Sequence, residues 1–302
     1  FIHDWSWAAA YRQLGKPYYP KLLNGLPHTP ARGPRLLVRP GSAADAVSRA
    51  LITTALQAVA AQQLSSWHVA FPTDHEVELL HSHGLLVSHN VQFHWRDDGY
   101  GDFAGFMAAF SAERRRKLRA ERRRVAESGL RIEVRHGDEI DRGEWPTLHA
   151  LYASTFDKYG NYAAFTTQCF ADLAAALGRR MVLFIARADG VPVALSICFR
   201  SADTLYGRYW GTSGNYHSLH FELCFYQGID YCLREGLAIF EPGAGGEHKV
   251  ARGFAPTVVR SCHWIADERM RLLLEQHLAR QRPAVLAYAE EAASHLPFRK
   301  GG

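Results

Sequence analysis

The chain has 302 residues, 47% of them hydrophobic and 22% charged, with a net charge of +5, which is the composition of a globular protein. No apolar run approaches the roughly 20 residues that cross a bilayer, and residues 1–7 lack the pattern of a signal peptide, so we expect no transmembrane segment. Five cysteines without a CxxC pair predict reduced, buried thiols and a cytoplasmic protein.

The predicted elements of the first hundred residues are those of an α/β protein. A strand is predicted at residues 33–38 and a helix at residues 42–63. A short strand then ends before Pro72, an irregular stretch follows as far as Gly84, and a further strand ends at His94–Trp95.

Residues 102–129 form a strongly basic segment, predicted to be one connecting helix with a thin apolar seam. Few acidic residues oppose its cations, so like charges repel along it and a polyanionic partner is indicated. That partner could be tRNA, a nucleotide diphosphate or an anionic membrane face, and the alternative is a basic helix that is merely solvated. No motif for reading DNA accompanies it. The predicted polyanion-binding residues are Arg114, Arg115, Arg116, Lys117, Arg119, Arg122, Arg123 and Arg124.

The rest of the chain predicts a longer series of elements. A strand at 131–135 and helices at 144–159 and 166–177 precede strands at 181–187, 191–200 and 204–210, with a hairpin turn at Asp189–Gly190. A helix at 219–235, a short strand at 237–240 and a strand ending at His263–Trp264 follow. The order of elements in the first region recurs here at an offset of about 170 residues: a strand, a helix, a short strand, an irregular stretch and a strand that ends in His–Trp. This recurrence indicates an internal duplication.

The irregular stretch Glu241–Phe254 is the most informative part of the sequence. It places two acids, a histidine, a lysine and an arginine among five glycines and prolines, directly after a predicted strand. Gly and Pro at this density indicate a tightly turning backbone, and ionisable groups on a turn beyond a strand end are typical of functional sites in α/β proteins. A solvated surface loop is the alternative.

These blocks resemble the FemAB-like N-acyltransferases, a family connected with peptidoglycan biosynthesis or recognition and related to the Fem-type aminoacyltransferases. The matching blocks are Tyr18–Leu22, Gly33–Leu37, Tyr206–Gly211, Leu219–Cys224, Glu241–Phe254 and His263–Trp264. Pro242 and Gly245 stand where the family pattern has Ala and Gln, a departure that leaves the acids and bases intact.

The resemblance implies an α/β fold with mixed sheets, built from tandem GNAT-like acyltransferase domains. The order β-α-α-β-β-β-α-β-β of the second region is the GNAT order. The expected domains are residues 1–101 as the C-terminal part of a first GNAT-like domain, 102–129 as the basic connecting helix, and 130–302 as a second GNAT-like domain. The front half of the first domain is expected upstream of Phe1.

Acyl transfer to an amine needs a neutral amine, a polarised carbonyl and a route for the proton. Glu222 lies on an almost wholly apolar helix, which predicts that its carboxylate is either paired or has a raised pKa. It is a candidate base, with a structural pair to Arg208 or Lys249 as the alternative. His220 could cap that helix, bind substrate or shuttle protons, or be a hydrogen-bonded core histidine. Glu247 and His248 are assigned to handling the substrate amine.

Charge stabilisation and substrate binding are assigned to further residues of the second region. Lys249 and Arg252 could bind a phosphate, carboxylate or oxyanion. The complete predicted substrate-binding set is Tyr206, Arg208, Trp210, Glu241, Lys249 and Arg252. His81, His83, His89 and His94 lack a ligand spacing with a second acid, and no metal site is predicted.

The sequence therefore predicts an N-acyltransferase without a tightly bound cofactor, whose co-substrate is aminoacyl-tRNA or acyl-CoA and whose acceptor is a small-molecule or peptide amine. A pyrophosphate-binding turn of the GNAT kind is not found after the strand at 204–210, which counts against acyl-CoA. A non-catalytic protein that binds RNA or a cell-wall precursor is the third hypothesis.

Overall fold

A computed structural model describes residues 4–41 and 43–299 of the chain. Its helices are α1 (Trp5–Gln13), α2 (Ala44–Ala61), α3 (Asp74–Ser82), α4 (Phe103–Ala109), α5 (Ala112–Ala126), α6 (Trp145–Lys158), α7 (Thr167–Leu177), α8 (Leu219–Phe221), α9 (Gln227–Glu235) and α10 (Glu268–Ser294). Its strands are β1 (Leu22–Asn24), β2 (Ser66–Val69), β3 (Leu86–Arg96), β4 (Arg131–His136), β5 (Met181–Ala188), β6 (Val191–Arg200), β7 (Thr204–Thr212), β8 (Ile239–Glu241) and β9 (Ala255–Ile265).

The chain forms two compact units by its internal contacts. Among the described residues, the first unit contains 4–41, 43–92 and 256–291, and the second contains 93–255 and 292–299. The basic segment therefore packs with the second unit. Residues 256–291 pack with the first unit, although the sequence places them in a second domain that runs to residue 302. Contact between distant segments decides this division, and sequence adjacency does not reveal it. The tandem-domain boundaries and the internal duplication stay predictions.

In the first unit, β1 pairs with β2 in parallel and β2 pairs with β9 in antiparallel register. One cluster of buried side chains from α2, β2 and α3 includes Ile52, Trp67 and Leu80. A second cluster joins the N-terminal segment to α10 through residues such as Tyr11 and Met270.

Two predictions for the first unit are wrong. Residues 33–38 form no strand, since Glu76 accepts hydrogen bonds from the backbone amides of Arg35 and Leu36 at 2.7 Å in place of a neighbouring strand. The stretch predicted to be irregular contains α3. Its capping box, in which the Thr73 side chain accepts from the Glu76 amide, is the signal in the sequence that could have identified it.

The second unit is built on antiparallel strands in the order β4–β5–β6–β7, to which β8 adds in parallel beside β7 and the end of β3 in antiparallel register beside β8. Residues 181–186 of β5 are completely buried, because helices cover both faces of these strands. Helices α6 and α7 pack on one face against Leu183 and Ile185. On the other face Tyr231 of α9 contacts the ring of Phe184.

The elements predicted at 131–241 agree with this unit, apart from small differences at their ends and a π turn at Glu222–Tyr226 within the helix predicted at 219–235. The basic segment is different, since it forms two helices: Phe110 takes an extended backbone conformation between α4 and α5. Its ring packs on Phe106 and Phe298, so tertiary contacts hold the break. None of the helices in the described part of the chain is both long and apolar enough to cross a membrane.

Candidate active site

The loop after β8 directs its ionisable side chains to two sides. Residues Glu247–Arg252 form a 3₁₀ helix between Gly246 and Gly253, whose positive φ angles of 92° and 86° favour glycine. Lys249 and Arg252, three residues apart, share one side and are buried, with 4% and 7% of their surface exposed. Glu247 and His248 are exposed. The four groups therefore do not face one cavity together.

Lys249 is buried beside the carbonyl groups of its own loop. Its Nζ atom donates a hydrogen bond to the carbonyl oxygen of Gly243 at 2.6 Å. Burial lowers the pKa of Lys249 to about 8, because removing the ammonium group from water disfavours its charge. A substantial fraction of this lysine is neutral slightly above neutral pH.

Arg252 connects the loop to the basic helix α5. Its Nη2 atom donates to the Glu121 carboxylate at 2.8 Å, and its Nη1 atom donates to the carbonyl oxygen of His248 at 2.9 Å. The guanidinium carbon lies 3.4 Å from the ring centroid of Phe221, in cation–π contact. The buried Nε atom has no hydrogen-bond partner among the described residues.

The hydroxyl of Tyr226 donates to the same Glu121 carboxylate. Glu121 therefore joins α5 to both the loop and the helical segment that precedes β8. Sequence reasoning missed Glu121 and Tyr226, because an acid within a run of arginines reads as a local charge pair. No pattern in the sequence indicates a partner 131 residues away.

His220 lies among aromatic rings on α8. Its ring centroid is 5.2 Å from that of Trp210, 5.5 Å from Phe225 and 6.3 Å from His248. Burial, followed by the neighbouring His248, Arg252 and Lys249, lowers the pKa of His220 to about 4. The imidazole is therefore neutral at physiological pH.

His248 covers the outer side of this ring cluster and remains exposed. Its ring contacts Phe225 and Phe221, with centroid separations of 5.6 and 6.0 Å. Burial, Lys249 and Arg252 lower the pKa of His248 below its usual value. We call His220, His248, Lys249 and Arg252, with the rings around them, the histidine–cation cluster.

Glu222 is buried in a π turn that spans Glu222–Tyr226. The widened turn places Gln227 five residues on, where its Nε2 atom donates to the Glu222 carboxylate at 2.8 Å. Arg122 of α5 donates to both carboxylate oxygens from Nε and to one from Nη2, at 3.0–3.2 Å. The expected pairing of Glu222 with Arg208 or Lys249 is wrong, because α5 supplies the cation instead.

Arg208 lies at a bulge in β7. The register with β6 shifts there, since Tyr209 pairs with Ile197 and Gly207 with Cys198, which leaves Arg208 unpaired in the ladder. Its guanidinium carbon lies 5.1 Å from the ring centroid of Tyr209, a contact that consecutive residues of a regular strand do not make. Burial lowers the pKa of Arg208, and its Nε atom has no partner among the described residues.

The other predicted binding residues are half-buried along β7 and β8. Tyr206 pairs in register with Glu241, at the point where β8 ends and the glycine-rich loop begins. Trp210 contacts His220 and so belongs to the wall of the histidine–cation cluster.

The predicted polyanion-binding residues all lie on α5. Five of them are exposed and three are half-buried. Arg122 differs from its prediction, because its charge is engaged by Glu222. The exposed residues are Arg116, Lys117, Arg119, Arg123 and Arg124.

No group of three or more His, Cys, Asp or Glu side chains within residues 4–41 and 43–299 could hold a metal ion.

Comparison with known proteins identifies the family of this chain. The model of the FemAB-like family, described as peptidoglycan biosynthesis/recognition, matches residues 1–300. The chain belongs to the FemAB-like family. A search of curated protein sequences found no significant match.

Solved structures resemble this FemAB-like protein at low sequence identity. L-PGS from Bacillus licheniformis is 11% identical with a TM-score of 0.56, and 78% of each chain is covered. The C-terminal domain of a protein assigned as a lysylphosphatidylglycerol synthetase from Agrobacterium fabrum is 12% identical, with a TM-score of 0.54 and coverage of 75% and 76%. FemX is 10% identical, with a TM-score of 0.53 and coverage of 84% and 82%.

These TM-scores establish a shared fold. The predicted fold class, a mixed α/β fold of the GNAT-like and Fem type, is confirmed. The prediction of an acyltransferase is confirmed at the level of the family.

Proposed function

We propose that this FemAB-like protein forms an amide bond between an activated aminoacyl or acyl group and an amine acceptor. The proposed donor of that group is aminoacyl-tRNA. The histidine–cation cluster is the observation that carries the proposal. It places two neutral imidazoles, one of them exposed, beside a buried guanidinium that has a hydrogen-bond donor to spare.

The reaction joins the acceptor nitrogen to the carbonyl carbon of the donor and breaks the bond from that carbon to its leaving oxygen. The amine loses a proton and the leaving oxygen gains one. His248 is exposed and neutral, so it is placed to accept the proton from the amine. His220, whose pKa is lowered to about 4, stays neutral and adds no further positive charge beside His248.

Negative charge develops on the carbonyl oxygen as the new bond forms. Arg252 offers the unpaired Nε–H donor, and the Glu121 carboxylate and Phe221 ring fix its orientation. A donor held in advance stabilises this charge without the cost of reorganisation. This arrangement supports direct attack of the acceptor on the donor.

The exposed cations of α5 support a polyanionic donor. Arg116, Lys117, Arg119, Arg123 and Arg124 lie on one helix that the Glu121 and Glu222 contacts attach to the rest of the second unit. Phosphates of tRNA would pair with such residues and release counterions, so donor binding should weaken steeply with salt. We assign Glu222 to positioning α5 through Arg122, rather than to proton transfer.

The experiment compares donors in a single assay. Purified protein is incubated with a lysine-containing peptidoglycan stem peptide and either radiolabelled aminoacyl-tRNA or acetyl-CoA, and amide products are resolved by mass spectrometry. Amide formation from aminoacyl-tRNA alone is expected. Product from acetyl-CoA alone would replace the donor assignment, and absence of product from both would contradict the transferase proposal for this acceptor class.

The role of Glu222 is tested in the same assay with Glu222→Gln and Arg122→Gln. If Glu222 positions α5, both variants should lower the rate by the same modest factor, about threefold, because either change breaks one ion pair. A loss of 10²-fold or more with Glu222→Gln but not with Arg122→Gln would restore Glu222 as the general base.

A further inference from the structure

A cavity of about 550 Å³ lies in the second unit, at the C-terminal half of α5. This volume falls within the range of small-molecule sites. The cavity is distinct from the histidine–cation cluster, since none of the four residues that define that cluster lines it. Four residues of its wall, Arg119, Arg122, Arg123 and Glu222, also have a role in the proposed function.

The floor of the cavity is apolar. Met107 and Val125 are buried, while Phe103, Leu130 and Ile132 are only half-buried and face the open space. An apolar surface that is left exposed on a folded domain favours an apolar ligand, because covering that surface releases water.

The rim of the cavity is cationic. Arg119, Arg122, Arg123 and Ala126 have the spacing i, i+3, i+4 and i+7, so they share one face of α5, and all four line the cavity. Arg122 is committed to Glu222 and to the ring of Phe103, whose centroid is 4.3 Å from the guanidinium carbon.

The remaining two rim arginines carry unbalanced charge. Arg119 has no ion pair among the described residues, and Arg123 has only a 3.8 Å pair with exposed Glu127. Two like charges four residues apart on a helix repel one another, and an anion between them relieves that repulsion. The rim therefore complements a negative group, and the floor complements a hydrocarbon.

We propose that this cavity binds a single amphiphilic anion: a hydrocarbon chain that lies on Phe103, Met107 and Val125, with a terminal phosphate that pairs with Arg119 and Arg123. The site binds its ligand without covalent chemistry. It goes beyond the proposed transferase function, because binding here requires no turnover.

Dodecyl phosphate, used below its micelle concentration, is the probe, and titration calorimetry on the full chain measures its affinity. Inorganic phosphate supplies the anion without the chain, and dodecyl maltoside supplies the chain without the anion. Dodecyl phosphate should bind at least tenfold more tightly than either control compound. Equal affinity for inorganic phosphate, or binding that occurs only with anionic lipid vesicles, would overturn the proposal.

Two double variants that remove the same charge distinguish the contribution of the rim arginines from that of the other α5 arginines. Arg119→Gln combined with Arg123→Gln should weaken dodecyl phosphate binding at least tenfold. Arg116→Gln combined with Arg124→Gln, on exposed positions that do not line the cavity, should leave it within twofold. Equal losses in the two double variants would show a general charge effect and contradict the site.

A third variant fills the cavity without disturbing the core. Ala126 is exposed at the end of α5 and lines the wall, so Ala126→Trp should place a large ring in the space and abolish binding while the circular dichroism spectrum is unchanged. Unchanged affinity in this folded variant would place the ligand elsewhere. Amide formation is assayed separately on the parent protein. Transfer without dodecyl phosphate binding would contradict only this site, and dodecyl phosphate binding without transfer would contradict only the proposed function.

Discussion

Each compact unit contains a pair of neighbouring histidines, and the two pairs differ in how completely the protein satisfies them. In the first unit, the Nδ1 atoms of His68 and His263 lie 2.8 Å apart in a hydrogen bond, and both side chains are buried. In the second unit, the rings of His220 and His248 are 6.3 Å apart and His248 is exposed.

The buried pair forms a continuous hydrogen-bonded chain. Tyr18 donates to Asp4, so the Tyr18 oxygen accepts from His68 Nε2–H, which lies 3.1 Å from it and 2.8 Å from the Ser66 hydroxyl. His68 Nδ1 accepts from His263 Nδ1. His263 Nε2, at 2.8 Å, then accepts from the hydroxyl of Ser88. Each polar atom along this chain has a partner, which is the arrangement expected of a structural network.

The second pair is surrounded by rings and cations, and its members make no hydrogen bond to each other. A neutral imidazole with an exposed edge can exchange a proton with a bound molecule, whereas an imidazole with both nitrogens engaged inside the core cannot. The comparison teaches that a lowered pKa alone does not mark a catalytic histidine, because both pairs have it and only one has access.

The largest expected effect concerns the accessible pair. His248→Ala should lower the rate of amide formation by about 10²- to 10³-fold, the range of a lost proton-transfer group. Stability should change by less than about 0.5 kcal/mol, because the side chain is exposed. Single-turnover kinetics with charged tRNA measures the rate, and His217→Ala, an exposed neighbour, is the matched control. An unchanged rate would remove the functional half of the comparison.

The next effect concerns the buried pair. His68→Ala should lower the free energy of unfolding by about 3 kcal/mol, because it leaves a cavity and unpaired groups on Tyr18 and His263. Urea denaturation measures the change, with His277→Ala, exposed on α10, as the control expected within about 0.5 kcal/mol. A loss as small as the control's would mean that the network is not structural.

Acid should destabilise the first unit through the same pair. Burial lowers the pKa of His263 to about 3, well below its unfolded value. The unfolded state then binds more protons than the folded state, so stability is complete above pH 6.5 and is lost as pH falls toward 3. Between pH 6.5 and pH 5 this group alone accounts for about 2 kcal/mol. Urea midpoints at several pH values should fall less steeply for His263→Gln than for the parent, and parallel curves would refute this linkage.

The smallest effect tests the direction of the chain of hydrogen bonds. Ser88→Ala should cost about 1 kcal/mol, because His263 Nε2 loses its donor. If Nε2 instead carries the proton, ¹⁵N chemical shifts of His263 will show the protonated form in the parent. That outcome would reverse the donor and acceptor in each hydrogen bond between Ser88 and Tyr18. The structural role of the buried histidine pair would remain.

Part of the site was predictable because its chemistry is local in sequence. The density of glycine in Glu241–Phe254 predicted an irregular loop, and the apolar pattern of 219–235 predicted a buried helix that carries Glu222 and His220. The partner of Glu222 was not predictable, since a carboxylate on such a helix accepts any nearby cation and Arg122 stands 100 residues before it.

The family and the fold class were indicated by the resemblance of motif blocks to a known family. Nearly every element of residues 131–241 was predicted from periodicity and turn residues, because these are local properties of the chain. Only the tertiary structure decided which residues pack in which unit, that the basic segment breaks at Phe110, and which of two adjacent loop residues, His248 or Lys249, is exposed. Those outcomes depend on contacts between segments far apart in sequence, and pairing and burial there set both the charge state and the accessibility of each group.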